Sequence, residues 1–207
     1  EIERPVKLDL YWWKGLDDDT LKVVSQNENV VGVRFPRESM VTVQGMTHLT
    51  EFPALEELSL DRSTQDDWLA AIGRCQRLRA LRVPSASKTT ADGIAHLANL
   101  TSLNKLSLSF QRDVSAEELA VLGKLAELQS LDLEVGNVTT EALHELGSLT
   151  KLKSLRFRAG NNVDEGLSIL ADMPALEQLE LHLTDLTHPP FPDKPHPTAT
   201  TRTHPPS

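Results

Sequence analysis

At 207 residues the chain is long enough for one domain. Its residues are 39% hydrophobic but only 4% aromatic, so any core must be built from aliphatic side chains. A formal net charge of -9 argues against the basic stripe of a nucleic-acid-binding protein, and no apolar run approaches the length needed to cross a bilayer.

Taken in chain order, Pro5-Val6-Lys7-Leu8-Asp9-Leu10 reads as a strand, with alternate residues turned inward. Tyr11-Trp12-Trp13 follows at once, an unusual cluster in a chain so poor in rings. Two roles suit it: a lid over the open first rung of a repeat array, or an aromatic anchor for a partner. The stretch from Val30 to Phe35 repeats the strand pattern less regularly, and Pro36 ends it because proline cannot donate to a ladder. From residue 55 the pattern is clear. Leu55/Leu58/Leu60, Leu78/Leu81/Val83, Leu103/Leu106/Leu108, Leu128/Leu131/Leu133, Leu152/Leu155/Phe157 and Leu176/Leu179/Leu181 all read L-x-x-L-x-L or a close variant. The eight lines start at 5, 30, 55, 78, 103, 128, 152 and 176, a step of 23 to 25 residues. Ahead of each later line stand apolar residues at threefold spacing, such as Leu119, Leu122 and Leu125, which predict a short helix. A unit of this size cannot bury its own apolar face, so neighbouring units must stack.

These lines resemble the leucine-rich repeat superfamily. Thr139-Thr140-Glu141-Ala142-Leu143-His144-Glu145-Leu146 and Val163-Asp164-Glu165-Gly166-Leu167-Ser168-Ile169-Leu170 are similar to its short T-D-x-G-L-x-x-L units, common in bacterial repeat proteins and in the repeat regions of F-box proteins. The resemblance spans residues 5–186. It implies an α/β solenoid of about eight rungs, a curved right-handed horseshoe with a parallel β-sheet on the concave face and short helices on the convex face. One departure stands out. Many members carry a buried asparagine three residues after the last strand leucine, where this chain has Trp13, Glu38, Ser63, Ala86, Gln111, Gly136, Gly160 and Thr184. Its turns must therefore be held by other means. Asn137, Asn161 and Asn162 lie just beyond that position and suit a turn.

The acidic residues have a structural explanation. Asp17-Asp18-Asp19, Asp66-Asp67, Asp92, Glu117-Glu118, Glu141 and Asp164-Glu165 fall at predicted helix starts, where carboxylates oppose the helix dipole. Ser115-Ala116-Glu117-Glu118 reads as a capping box. Gly93, Gly123, Gly147 and Gly166 in or beside the helices suggest short, partly 3₁₀ turns. Cys75 takes a core position, and one cysteine makes no internal disulfide. The cysteine-rich end caps of extracellular animal members are missing. This leans toward a cytoplasmic setting; a chain that begins with Glu suggests a fragment or processed form, and Asn99-Leu100-Thr101 and Asn137-Val138-Thr139 are formal glycosylation triplets, so export or surface anchoring stays open.

Beyond Leu186 the composition changes. Residues 187–207 hold seven of the twelve prolines, five threonines and three histidines, which cannot build a core. They read as a linker or stalk, or as a tail docked on the last rung. His188, His196 and His204 share no ligand spacing, so no metal site is expected.

Function is expected on the concave face. The third, fifth and seventh residues of each line point there, and this set holds six basic and six acidic side chains. Asp132, Arg156 and Glu180 would share one column, either as a cross-strand ion ladder or as a mixed-charge recognition surface. No catalytic set, Walker loop or metal motif is present, and no cofactor is expected. The reading is a non-enzymatic scaffold for a protein ligand, without nucleic-acid binding or membrane insertion. Arg34, Arg82, Asp132, Glu134, Arg156 and Arg158 would supply charge complementarity, and Tyr11, Trp12 and Trp13 the anchors. The rivals are a structural spacer or surface stalk and, from the resemblance alone, the substrate-recognition part of a ubiquitin-ligase adaptor.

Overall fold

The computed structural model describes residues 4–61, 63–160, 164–183 and 199–201. The chain divides into two compact units, Glu1–Leu103 and Asn104–Ser207.

In the first unit the strands are β1 (Val6–Asp9), β2 (Val30–Arg34), β3 (Glu57–Ser59) and β4 (Ala80–Val83). They alternate with α1 (Asp18–Ser25), α2 (Val43–Met46), α3 (Asp66–Ile72) and α4 (Ala91–Ala95). Neighbouring strands pair parallel, with Leu8 beside Val33, Val33 beside Leu58 and Leu58 beside Leu81. Two 3₁₀ turns, Thr47–Glu51 and His96–Asn99, extend α2 and α4. The second unit repeats the plan. Its elements are β5 (Lys105–Ser109), α5 (Ala116–Gly123), β6 (Ser130–Glu134), α6 (Thr140–Leu146), β7 (Ser154–Ala159), α7 (Asp164–Ala171) and β8 (Gln178–Leu183). Leu106, Leu131, Leu155 and Leu179 form one inward column, and Leu108, Leu133, Phe157 and Leu181 a second; all are buried. The helix leucines close the core from the other side, including Leu119, Leu122, Leu143, Leu146, Leu167 and Leu170. A last strand, β9 (Ala199–Thr201), pairs parallel with β8. It is the described part of the expected tail; His188, His196, His204, Asn161 and Asn162 lie outside the described residues.

Without an asparagine ladder, the turns are held in two other ways. In the first unit a carboxylate at the start of one helix reaches the start of the next. Asp18 accepts from the Thr42 amide at 2.7 Å and the Thr42 hydroxyl at 2.6 Å. Asp66 does the same to Thr90, at 2.8 and 2.7 Å. These aspartates therefore staple successive repeats, which the helix-dipole account does not capture. The staple also explains two glycines: a Cβ on Gly45 would overlap the Asp18 carboxylate, and one on Gly93 the Asp66 carboxylate. In the second unit backbone groups replace the missing side chain. The Gly136 amide donates to the Arg112 carbonyl at 2.7 Å, and the Gly160 amide to the Gly136 carbonyl at 2.6 Å. A Cβ on Gly136 would press on the backbone of Arg112 and Asp113, so only glycine fits there. Asp113 completes the turn by accepting from the Asn137 amide at 2.7 Å.

A double-mutant cycle tests the staple. Asp18→Ala is expected to cost about 1–3 kcal/mol for the two lost hydrogen bonds, and Gly45→Ala about 1–3 kcal/mol for the overlap. Because removing the carboxylate makes room for the new methyl, the double variant should cost little more than Asp18→Ala alone. Strict additivity in urea unfolding would rule the arrangement out.

Helical glycines also serve close approach. A Cβ on Gly73 would press on the His96 carbonyl, and the Gly123 carbonyl accepts the Ser148 hydroxyl at 3.0 Å.

Candidate functional site

The exposed strand faces of both units carry the charge pattern expected from alternation, with exceptions at Gly32, Pro36 and Ser109, which are buried. At Gly32 the reason is visible. Lacking a side chain, Gly32 lets Lys7 reach past β2 to Glu57 on β3, at 2.7 Å.

On the first unit Arg34 lies at the centre of a cluster. Its Nε is 2.8 Å from Asp61, its guanidinium is 3.6 Å from Asp9, and its Cζ stands 4.4 Å above the Tyr11 ring. The Asp61 hydrogen bond holds the Arg34 pKa above its ordinary value. Arg82 approaches Asp61 from the next rung at 3.8 Å. On the second unit Asp132, Arg156 and Glu180 sit in register on β6, β7 and β8, as the spacing implies. Arg156 is 4.0 Å from Asp132 and 2.8 Å from Glu180. Beside it, Arg158 bridges Asp132 at 3.0 Å and Glu134 at 3.5 Å. His182 is 2.6 Å from Glu180, and this contact, followed by Arg156, holds the Glu180 carboxyl below the usual range. The six charged residues singled out in the sequence are therefore all engaged in ion pairs, three or more to a cluster. Each cluster lies within one unit.

The aromatic triplet lies at the carboxyl end of β1. Tyr11 packs edge-on against Trp12, with ring centroids 4.6 Å apart. Trp12 is 86% exposed and Trp13 44%, so neither ring closes off a core. With Pro36, Arg37 and Glu38 they line a pocket of about 200 Å³.

Cys75 is buried, and burial pushes its thiol up to about 11. His96 and His144 lie in the helical layer, exposed. Among the described residues no group of histidine, cysteine and carboxylates is placed to hold a metal ion, and no helix is long and apolar enough to cross a membrane.

Comparison with solved structures finds the same fold. The crystal structure of internalin C2 from Listeria monocytogenes matches at 20% identity with a TM-score of 0.60, covering 90% of this chain and 76% of that one. Internalin F from the same organism matches at 18% identity with a TM-score of 0.53, covering 80% of this chain and 46% of that one. No protein-family model matches the chain, and no curated protein matches it.

Proposed function

We propose that this chain, a leucine-rich repeat solenoid by its strand–helix units and by its likeness to the internalin structures, is a non-enzymatic scaffold that recognises a protein partner through the exposed face of its sheets. The supporting observation is the arginine-carboxylate clustering on that face. Arg156 and Arg158 are each held by two carboxylates on or beside neighbouring rungs, yet roughly half to a third of each side chain remains open to solvent. Exposed pairs of this kind contribute little to stability, about 0–1 kcal/mol each, so stability is a weak reason to gather them on one face. Arginines already ordered on rigid strands lose less side-chain entropy when a partner docks. The Glu180 carboxyl beside Arg156 is held below its usual range, which suits charge recognition and not general-acid chemistry.

The test is capture of partners from the native host by the wild type and by Arg156→Glu/Arg158→Glu. The variant is expected to keep its circular dichroism spectrum and to lose the partners that the wild type retains. An Arg156→Gln/Arg158→Gln variant separates lost complementarity from repulsion. Undiminished capture by both variants would favour a spacer role.

A further inference from the structure

We infer that the first unit carries a second docking surface, at the loop edge of its sheet face, that takes an extended acidic peptide bearing an aromatic or aliphatic side chain. The inference rests on the reading of the chain as a protein-recognition scaffold and names a partner chemistry for it. The surface is formed by the loops that leave β1, β2, β3 and β4. Three pockets adjoin there and share Arg37, with volumes of about 200, 510 and 630 Å³. Lys14 comes from the first loop, Arg37 to Met40 from the second, Ser63 and Gln65 from the third and Lys88 from the fourth.

Two observations identify the occupant. The first is charge. Almost every arginine on the sheet faces is neutralised by a neighbour, but Lys14, Arg37 and Lys88 make no ion pair among the described residues. Of the residues that line these pockets, Glu38 and Asp61 are the carboxylates, and Asp61 is already engaged by Arg34. The groove is thus locally basic on a chain whose net charge is -9. Unneutralised cations beside a pocket favour a carboxylate-bearing partner and disfavour a basic one. The second is exposed apolar surface at the same place. Trp12 is 86% exposed and Met40 63%, and with Trp13 they are the large apolar side chains that flank these pockets. Exposed tryptophan beside arginine is the composition of interface anchor points.

The dimensions suit an extended segment. Three rung spacings of about 4.8 Å make a groove about 14 Å long, which about four residues of extended chain would span. Such a peptide would set its apolar side chain against Trp12, Trp13 and Met40 and direct its carboxylates to Arg37, Lys14 and Lys88.

The experiment is selection from a random peptide library displayed on phage, using the full chain as target, followed by fluorescence anisotropy of the enriched peptides. Enriched sequences should be rich in Asp and Glu with an aromatic or aliphatic residue among them. Their affinity should fall at least about tenfold for Lys14→Glu/Arg37→Glu/Lys88→Glu and for Trp12→Ala. All four positions are exposed, and thermal unfolding would verify that the variants are folded. Arg156→Glu/Arg158→Glu, on the other unit, should bind these peptides as the wild type does. No enrichment, enrichment without an acidic excess, or equal binding by the charge-reversed variant would each overturn the inference. If that happens while Arg156→Glu/Arg158→Glu still loses host partners, the loop surface fails and the sheet-face reading stands. Acidic peptides that bind the loops beside unchanged host capture give the converse.

Discussion

Replacing Leu131 with alanine is expected to lower the stability of the protein by about 2–5 kcal/mol, from lost transfer energy and the cavity left behind. Leu131 is 1% exposed and sits in the middle of the column formed by Leu106, Leu131, Leu155 and Leu179. Its neighbours on both sides are strand residues fixed by backbone pairing, so the site has little freedom to collapse. Because each repeat leans only on its neighbours, the loss at β6 should weaken β5 and β7 together. Leu131→Asp should be far worse, since it places a charge in an aliphatic interior without a partner. Chemical denaturation followed by circular dichroism reads both variants. An unchanged midpoint for Leu131→Asp would place this residue on the surface and refute the register.

The second large effect concerns Glu118. This carboxylate is 5% exposed and completes a capping box: it accepts from the Ser115 amide at 3.0 Å, while the Glu118 amide donates to the Ser115 hydroxyl at 3.3 Å. Arg112 grips it with two nitrogens at 2.5 and 3.2 Å, and its guanidinium also stands 5.1 Å from the centre of the Phe110 ring. Burial pushes the Glu118 carboxyl up, but Arg112 and Ser115 together outweigh it and hold it below the ordinary value. A carboxyl depressed in the folded state contributes stability above its unfolded value, near 4.5, and loses it as the pH falls through the folded value. Arg112→Ala should therefore cost about 3 kcal/mol at pH 7, because it leaves a buried carboxylate without its counter-charge. The penalty should shrink as the pH is lowered through and below about 4.5, because Glu118 takes up a proton first in the variant, which lacks the counter-charge, and only below its depressed value in the wild type. Urea midpoints of the two proteins across that range check it, and a penalty independent of pH would show that the ion pair is not its source.

The repeat was legible because a stack of identical units writes its period directly into the spacing of its leucines. Leu8, Leu58, Leu106, Leu131, Leu155 and Leu179 occupy the strand positions that the lines assign. The column of Asp132, Arg156 and Glu180 followed from the same period. The Asp18–Thr42 and Asp66–Thr90 staples did not follow, although their parts stand 24 residues apart in each case. A carboxylate at a helix start already has a local role in neutralising the dipole, and nothing local shows that it reaches the next repeat. The glycines at 45 and 93 were the available signal, since each falls three residues after the stapled threonine.

Hydrophobic period therefore determined the strands, the helices and the inward face, because burial depends on the alternation of side chains along each element and needs no knowledge of distant contacts. Only the folded chain decided which charges were spent. Arg34, Arg82, Arg156 and Arg158 meet carboxylates on or beside neighbouring rungs, whereas Lys14, Arg37 and Lys88 meet none among the described residues. That division depends on distances of a few ångströms between groups about two dozen residues apart, and electrostatic pairing falls off too steeply with distance for composition or spacing to reveal it.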